Sequence, residues 1–271
     1  VGIDIHQDKL PIERTLGIQW CIQTDAFQFK ITPKDRPLTR RGVLSTLSSV
    51  YDPLGFIAPF VLVGKQILQE MCRNQTDWDS PLPENLRPRW RCWREDLEKL
   101  GSLEIKRCLK PENFGDVVVA ELHHFSDAST IGYGQCSYLR LIDDKRQVHC
   151  SLVMAKSRVT PLKQVTVPRL ELTAALVSVK VSSQLLEELE ISNVVEWFWT
   201  DSTVVLGYIA NDSRRFHVFV ANRLQQIRDR TEPYQWNYIS SAENPTDIAS
   251  RGITAAELRN RKEWFRGPNF L

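Results

Sequence analysis

Four acidic residues stand where a carboxylate has no evident packing role: Asp127 in HHFSDASTIGYG, Glu171 in PRLELTAAL, Asp201 in WFWTDSTVV and Asp247 in ENPTDIASR. Asp127 follows the apolar-rich run DVVVAELHHF and precedes a Gly-Tyr-Gly stretch that reads as a second strand, so its carboxylate falls where a core residue is expected. Burying an unpaired charge there is costly. Asp127 must therefore lie at an exposed sheet edge or be matched by something positive. Carboxylates brought together as bare anions repel and raise one another's pKa. A hard divalent cation resolves the conflict, and Mg²⁺ prefers oxygen ligands with several retained waters. Two such ions about 4 Å apart assist in-line attack of water on a phosphodiester. Taken singly, each residue has an ordinary use instead. Asp at a strand end forms turns, Glu in a first helical turn complements the helix dipole, and Asp247 in NPTD suits an N-cap.

The elements that must position these groups follow from periodicity. Residues 16–31 alternate as two short strands joined at a Thr-Asp turn. Thr39 caps a helix ending near Asp52-Pro53, and a second helix is expected over 56–73. A third, over 83–100, carries Trp90, Trp93, Leu97 and Leu100 at helical spacing, which assigns the tryptophans to packing between helices. Strands are expected at 116–126, 131–140 and 147–155, then a long helix from Pro168, which suits a first turn. A strand VVEWFWT, helices STVVLGYIA and RFHVFVANRLQQIRDR, a strand YQWNYIS and a short helix NPTDIAS complete the run. A three-stranded meander followed by alternating helices and strands defines a mixed α/β sandwich. With the first and fourth strands central, the ends at 127 and 201 become neighbours, and the long helix can bring Glu171 to them.

Composition sets the outer bounds. A chain of 271 residues, 42% hydrophobic and 25% charged, is expected to be a soluble globular protein of one large or two ordinary domains. A net charge of +2 and pI near 8.2 neither imply nor oppose a polyanionic partner. Cys21, Cys72, Cys92, Cys108, Cys136 and Cys150 form no CxxC pair and read as reduced thiols of an intracellular protein. The longest apolar stretch, 55–64, is broken by Pro59 and far short of the roughly 20 residues that cross a bilayer, so no membrane partner is expected. The opening Val, in what reads as the middle of a sheet, suggests a piece of a longer polypeptide.

FSDAS (125–129), RLELTAAL (169–176), WTDSTVVLGYI (199–209) and ENPTDIASRG (243–252) occur in the order of the retroelement ribonuclease H, and their wording resembles the Pol polyproteins of BEL/Pao retrotransposons. RRGVLSTLSSVYDPLGFIAPFVLVGKQILQ resembles this group's thumb and connection segment, and LGIQW the strand leaving the reverse transcriptase palm. The resemblance covers essentially the whole chain. It implies the end of a palm at 1–34, a mainly helical thumb/connection unit at 35–112, a ribonuclease H-like domain at 113–262 and a tail at 263–271. It further implies an endonuclease using two Mg²⁺ ions, with Mn²⁺ an alternative, that cuts the RNA strand of an RNA·DNA hybrid. Asp127, Glu171, Asp201 and Asp247 match the four catalytic, metal-binding carboxylates. Ser129, Ser202, Thr203 and Asn244 are polar neighbours for substrate or water, while Lys156, Arg158, Lys163 and Arg251 are placed to meet phosphates. Further partners implied are the remaining Pol domains (palm and fingers, integrase), in a cytoplasmic element particle or the nucleus.

Departures and alternatives also follow. Retroviral relatives carry a mobile histidine shortly before the last aspartate; YISSAENPTD has none, so product release or proton handling is expected to differ or to rest with Glu243. The palm's paired aspartates are absent, so this segment is not expected to polymerise alone. An inactive nucleic-acid-binding or scaffolding remnant is the alternative, and the intact acidic set speaks against it. The group's peptidase label fits poorly, because Asp201-Ser202-Thr203 lacks the glycine of a D-[ST]-G triplet. No GxSxG elbow and no zinc-spaced histidines occur. Integrases place the essential Glu last, whereas Glu171 comes second.

Overall fold

The computed structural model describes residues 13–15, 18–29, 31, 35–191, 193–211 and 215–271. Of the strands expected over 1–34, residues 1–12, 16, 17, 30 and 32–34 lie outside that set. Strands β1 (Glu13–Thr15), β2 (Ile18–Cys21) and β3 (Ala26–Gln28) form an antiparallel ribbon. It turns at Asp25 (φ +44°), whose carboxylate accepts from the Trp20 indole at 2.9 Å and from Arg107 at 2.6 Å.

Helices α1 (Arg40–Ser49), α2 (Ala58–Arg73) and α3 (Arg87–Lys99) follow. Thr39 caps α1 as expected, accepting from Gly42 N at 3.2 Å. The helix stops short of Asp52 because that carboxylate is used by the next segment, accepting from the Phe56 and Ile57 amides at 2.9 Å each. Pro59 and Pro88 sit in the first turns of α2 and α3, where their missing N–H costs nothing. Trp90 and Trp93 stack on each other, and Trp93 stacks on Phe60 while donating to its carbonyl at 3.0 Å, which bears out their packing role. A strand that periodicity does not reveal, β4 (Glu104–Lys106), pairs with β3 and makes the first sheet four-stranded. Three residues are too few for a period-2 signal to emerge.

The second sheet is built from β5 (Val117–Ala128), β6 (Gly132–Asp143), β7 (Val148–Val159), β8 (Val195–Thr200) and β9 (Trp236–Tyr238), in spatial order β7-β6-β5-β8-β9. The meander is antiparallel, and β8 and β9 join it parallel, so β5 is central as expected. All three meander strands run a few residues past their expected ends, since polar side chains such as Ser126, Gln135 and Ser157 are buried on this sheet. Helix α4 (Val167–Glu188) lies across β5 and β6. It shares a core with β8, α5 (Thr203–Ala210) and α6 (Val218–Arg228). Helices α7 (Asp247–Arg251), α8 (Ala255–Asn260) and α9 (Lys262–Arg266) return to the opposite face. The last two are short, and the sequence pattern does not mark them.

That opposite face is also where α1–α3 pack, in one continuous apolar core that includes Val43, Phe60, Trp93, Phe125, Ala155 and Trp264. The fastening is the segment Asp52–Ile57. Ala155 N donates to Leu54 O at 2.8 Å. Gly55 (φ +77°) approaches so closely that a Cβ there would stand 1.7 Å from Ala155 O, so no other residue fits. On the far side, fully buried His124 bridges Ser137 Oγ (2.8 Å) and Glu196 (3.1 Å), and Glu196 also accepts from Ser182 at 2.5 Å. This Ser-His-Glu contact has the residue types of a nucleophilic triad, but sealed inside the sheet it ties β5, β6, β8 and α4 together. Among the described residues, no helix is long and apolar enough to cross a membrane.

Trp264 is 1% exposed and its indole donates to Phe56 O at 2.8 Å. Trp264→Ala is expected to lower unfolding stability by about 3–5 kcal/mol. Trp264→Phe, which keeps most of the packing but strands a buried carbonyl, is expected to cost about 1–3 kcal/mol. Urea unfolding followed by circular dichroism measures both, and equal losses would refute the role of the indole N–H.

Candidate active site

The register of two parallel strands sets the site. Ser126 of β5 pairs with Thr200 of β8, and the next residue on each strand is a carboxylate, Asp127 and Asp201. Adjacent strands lie about 4.8 Å apart, so the two are neighbours. Glu171 enters from the first turns of α4, and Asp247 is the first residue of α7.

Each carboxylate is held by a nearby donor. Ser250 Oγ donates to Asp127 Oδ2, Ser241 Oγ to Asp201 Oδ2 at 2.5 Å, and Ser202 Oγ to Glu171 Oε2 at 2.6 Å. Arg251 Nε donates to Asp247 Oδ1 at 2.6 Å, one turn along α7. Asp201 Oδ1, by contrast, is buried with no donor among the described residues.

The electrostatics tie the four into one neighbourhood. Asp127 is pushed up from 3.8 to about 6, first by burial and then by the charges of Asp201 and Asp247, with Ser250 opposing. Burial also raises Glu171; the Ser202 hydroxyl opposes this and Asp201 adds to it. Arg251 is raised chiefly by its bond to Asp247 and also feels Asp127 and Asp201. Among the described residues, no three of these side chains stand close enough to form a ready ligand group. The expected convergence is thus a set of neighbours, each turned toward its own hydroxyl or guanidinium, as mutual repulsion dictates. The donor set nevertheless suits a hard cation: all oxygen, two carboxyls biased toward protonation, and one buried oxygen with nothing to accept.

The expected polar neighbours divide. Ser129 spends its hydroxyl on the β5–β6 turn and on Ser250 O at 2.8 Å. Asn244 is buried and donates to Ser126 O at 3.2 Å, tying the loop before α7 to β5. Ser202 caps α5 as well as holding Glu171. These three build the fold around the carboxylates. Thr203, Arg158 and Lys163 are exposed, Lys156 is half-buried, and Arg251 is exposed but paired. Ser241 and Ser250, the donors to Asp201 and Asp127, carry no sequence signal beyond Ser250 lying three residues after Asp247 on a short helix.

The sequence profile of the Pao retrotransposon-like RNaseH-like domain matches residues 39–202. The chain belongs to this family. The match takes in α1–α3 together with the sheet through β8, so Asp127, Glu171 and Asp201 of this Pao-type domain lie inside it and Asp247 beyond it. No match was found among curated protein sequences. Among solved structures, the Pao-type chain is similar to the foamy viral protease-reverse transcriptase in complex with double-stranded DNA. That similarity stands at 14% identity and TM-score 0.47, over 84% of this chain and 37% of that one. It is similar also to RNase H1 from the halophilic archaeon Halobacterium salinarum (11% identity, TM-score 0.31, 53% and 96% covered). A third is LC11-RNase H1 in complex with RNA/DNA hybrid (10% identity, TM-score 0.32, 52% and 94% covered).

A carboxyl raised by burial gives stability that is complete below its unfolded pKa and lost as pH rises through its folded one. For Asp127 that window runs from 3.8 to about 6. Metal-free Asp127→Asn protein is therefore expected to match the wild type near pH 4 and to exceed it at pH 7 by about 2–3 kcal/mol. Chemical unfolding at the two pH values measures this, and a gap that does not change with pH would refute it.

Proposed function

We propose that this Pao-type domain is a metal-dependent endonuclease that cuts the RNA strand of RNA·DNA hybrids during reverse transcription of the parent element. The observation that carries the proposal is the buried, donorless Asp201 Oδ1 beside a carboxyl raised to about 6 at Asp127. Such a pair is costly without a cation and useful with one. Membership of an RNaseH-like family supports the same reading.

In this reading Asp127, Glu171, Asp201 and Asp247 hold two Mg²⁺ or Mn²⁺ ions. When bound, these supply activation of water and neutralisation of charge at the phosphodiester. The chain's own part is orientation. Ser202, Ser241 and Ser250 fix one oxygen each of Glu171, Asp201 and Asp127. Arg251 holds Asp247 in place through their 2.6 Å contact until substrate and cation arrive. With no histidine before Asp247, exposed Glu243, which accepts from Ser240 at 2.8 Å, is the group left to handle a proton in that loop. Thr203, Lys156, Arg158 and Arg251 meet the hybrid, and the remaining Pol domains deliver it.

With Mg²⁺, the wild type is expected to cut a labelled RNA·DNA hybrid and to leave single-stranded RNA intact. Asp127→Asn and Glu171→Gln should fall to the level of a chelator-treated control while melting no lower than wild type. A separate readout is thermal: Mg²⁺ is expected to raise the melting temperature of the wild type and not of Asp127→Asn. Full hybrid cleavage by Asp127→Asn would overturn the assignment.

A further inference from the structure

Helix α7, which carries Asp247, is only five residues long, and a helix that short does not persist on its own backbone bonds. Its place is set by what it packs against. Besides the sheet, that is α2. Pro59, Val63 and Gln66 stand four and then three residues apart and so share one stripe of α2. Each meets the C-terminal end of α7. Gln66 Nε2 donates to Arg251 O at 3.2 Å, and Ile253 N donates to Pro59 O at 3.4 Å. Gly252 (φ +84°) lies so close that a Cβ there would stand 2.8 Å from Val63 Cγ2. Arg251 O belongs to a last helical turn, where carbonyls lack an intrahelical donor, and Gln66 supplies one. The same arginine turns its guanidinium to Asp247 Oδ1 at 2.6 Å, so a single residue links Gln66 to the fourth carboxylate. The adjoining stripe of α2 reaches the segments beside Asp127. Lys65 Nζ donates to Ser157 O at 3.4 Å and Gln69 Nε2 to Thr160 O, while Thr160 donates from its hydroxyl to Thr130 O in the β5–β6 turn at 3.2 Å. Three long donors of one helix therefore each end on a main-chain carbonyl flanking the carboxylates. Bonds of that kind fix where backbone lies.

We propose that α2 is the brace that positions Asp247: Gln66 and Val63, acting through Arg251 and Gly252, set the placement of α7, and a displacement of α2 is carried to the fourth carboxylate. Gln66 and Val63 are positioning residues, since neither touches the carboxylate itself. The consequence is a coupling between the two parts of the chain. Asp127 and Asp201 are fixed by strand register, whereas Asp247 stands on a short helix held by the helical unit. Whatever shifts α1–α3 as a body thus acts first on Asp247 and leaves the strand pair in place. Displacements of about 1 Å are enough to change a rate strongly. The role of Asp247 in catalysis rests on the nuclease reading; the contact between α2 and α7 does not.

The test compares wild type with Gln66→Met, which keeps length and loses the donor, with Val63→Ala, and with Gln66→Lys, which keeps a donor. Circular dichroism establishes that each is folded. Amide hydrogen exchange of the metal-free proteins is read first, and residues 245–252 are expected to exchange about 5-fold faster in Gln66→Met and Val63→Ala, with β5 and β8 unchanged. Cleavage of a labelled RNA·DNA hybrid is read second. In both variants kcat should fall roughly 3- to 10-fold with KM for hybrid unaltered, and the Mg²⁺ concentration for half-maximal rate should rise several-fold. Gln66→Lys should recover most of the loss. Unchanged exchange over 245–252 would overturn the brace. Faster exchange with wild-type kcat and Mg²⁺ requirement would show a contact that serves the fold alone, and would overturn the positioning role while leaving the nuclease intact. A folded wild type that cuts nothing, yet whose α7 loosens on substitution, would remove the nuclease reading and the positioning role with it.

Discussion

Parallel pairing of β5 with β8 is the constraint on which the rest depends. Two carboxylates do not approach one another unaided, and the register that sets Ser126 against Thr200 forces Asp127 and Asp201 side by side at the sheet's end. The energy that holds them there comes from elsewhere. Phe125 and Phe198 are fully buried on adjacent strands, and the ladder continues from Glu121 to Ser126. The apolar stretch of each strand thus offsets the repulsion at its tip. Glu171 and Asp247 reach the same place only because α4 and α7 pack against the strands from opposite faces.

The contrast between the two buried polar clusters of the sheet shows how position decides role. Around His124 both ring nitrogens find a partner, in Ser137 and Glu196, and Ser182 donates to the Glu196 carboxylate. That cluster is enclosed. Further along β5, where Asp127 meets the end of β8, one carboxylate oxygen, Asp201 Oδ1, is left without a partner among the described residues.

Much of this architecture was legible in the sequence, for stateable reasons. The central sheet and long helix show because their apolar periods run for many residues, and the strand-end placement of Asp127 and Asp201 follows from where those periods stop. What stayed hidden is short or non-local. Strand β4 and helices α8 and α9 are too brief for a period to emerge. Ser241 and Ser250 act on partners far away in sequence, and no spacing rule links them to Asp201 and Asp127. The sharing of one core by α1–α3 and the sheet was equally invisible, since it rests on Asp52–Ile57 meeting Ala155 across the chain.

That last contact has a consequence for solubility. Strand β7 is a twelve-residue edge, and an open edge of that length invites pairing with another copy of the chain. Leu54 O already accepts from Ala155 N, and Gly55 lies against the Ala155 carbonyl, so the middle of the edge offers no free slot to an incoming strand. The segment that fastens the helices also guards the sheet against aggregation.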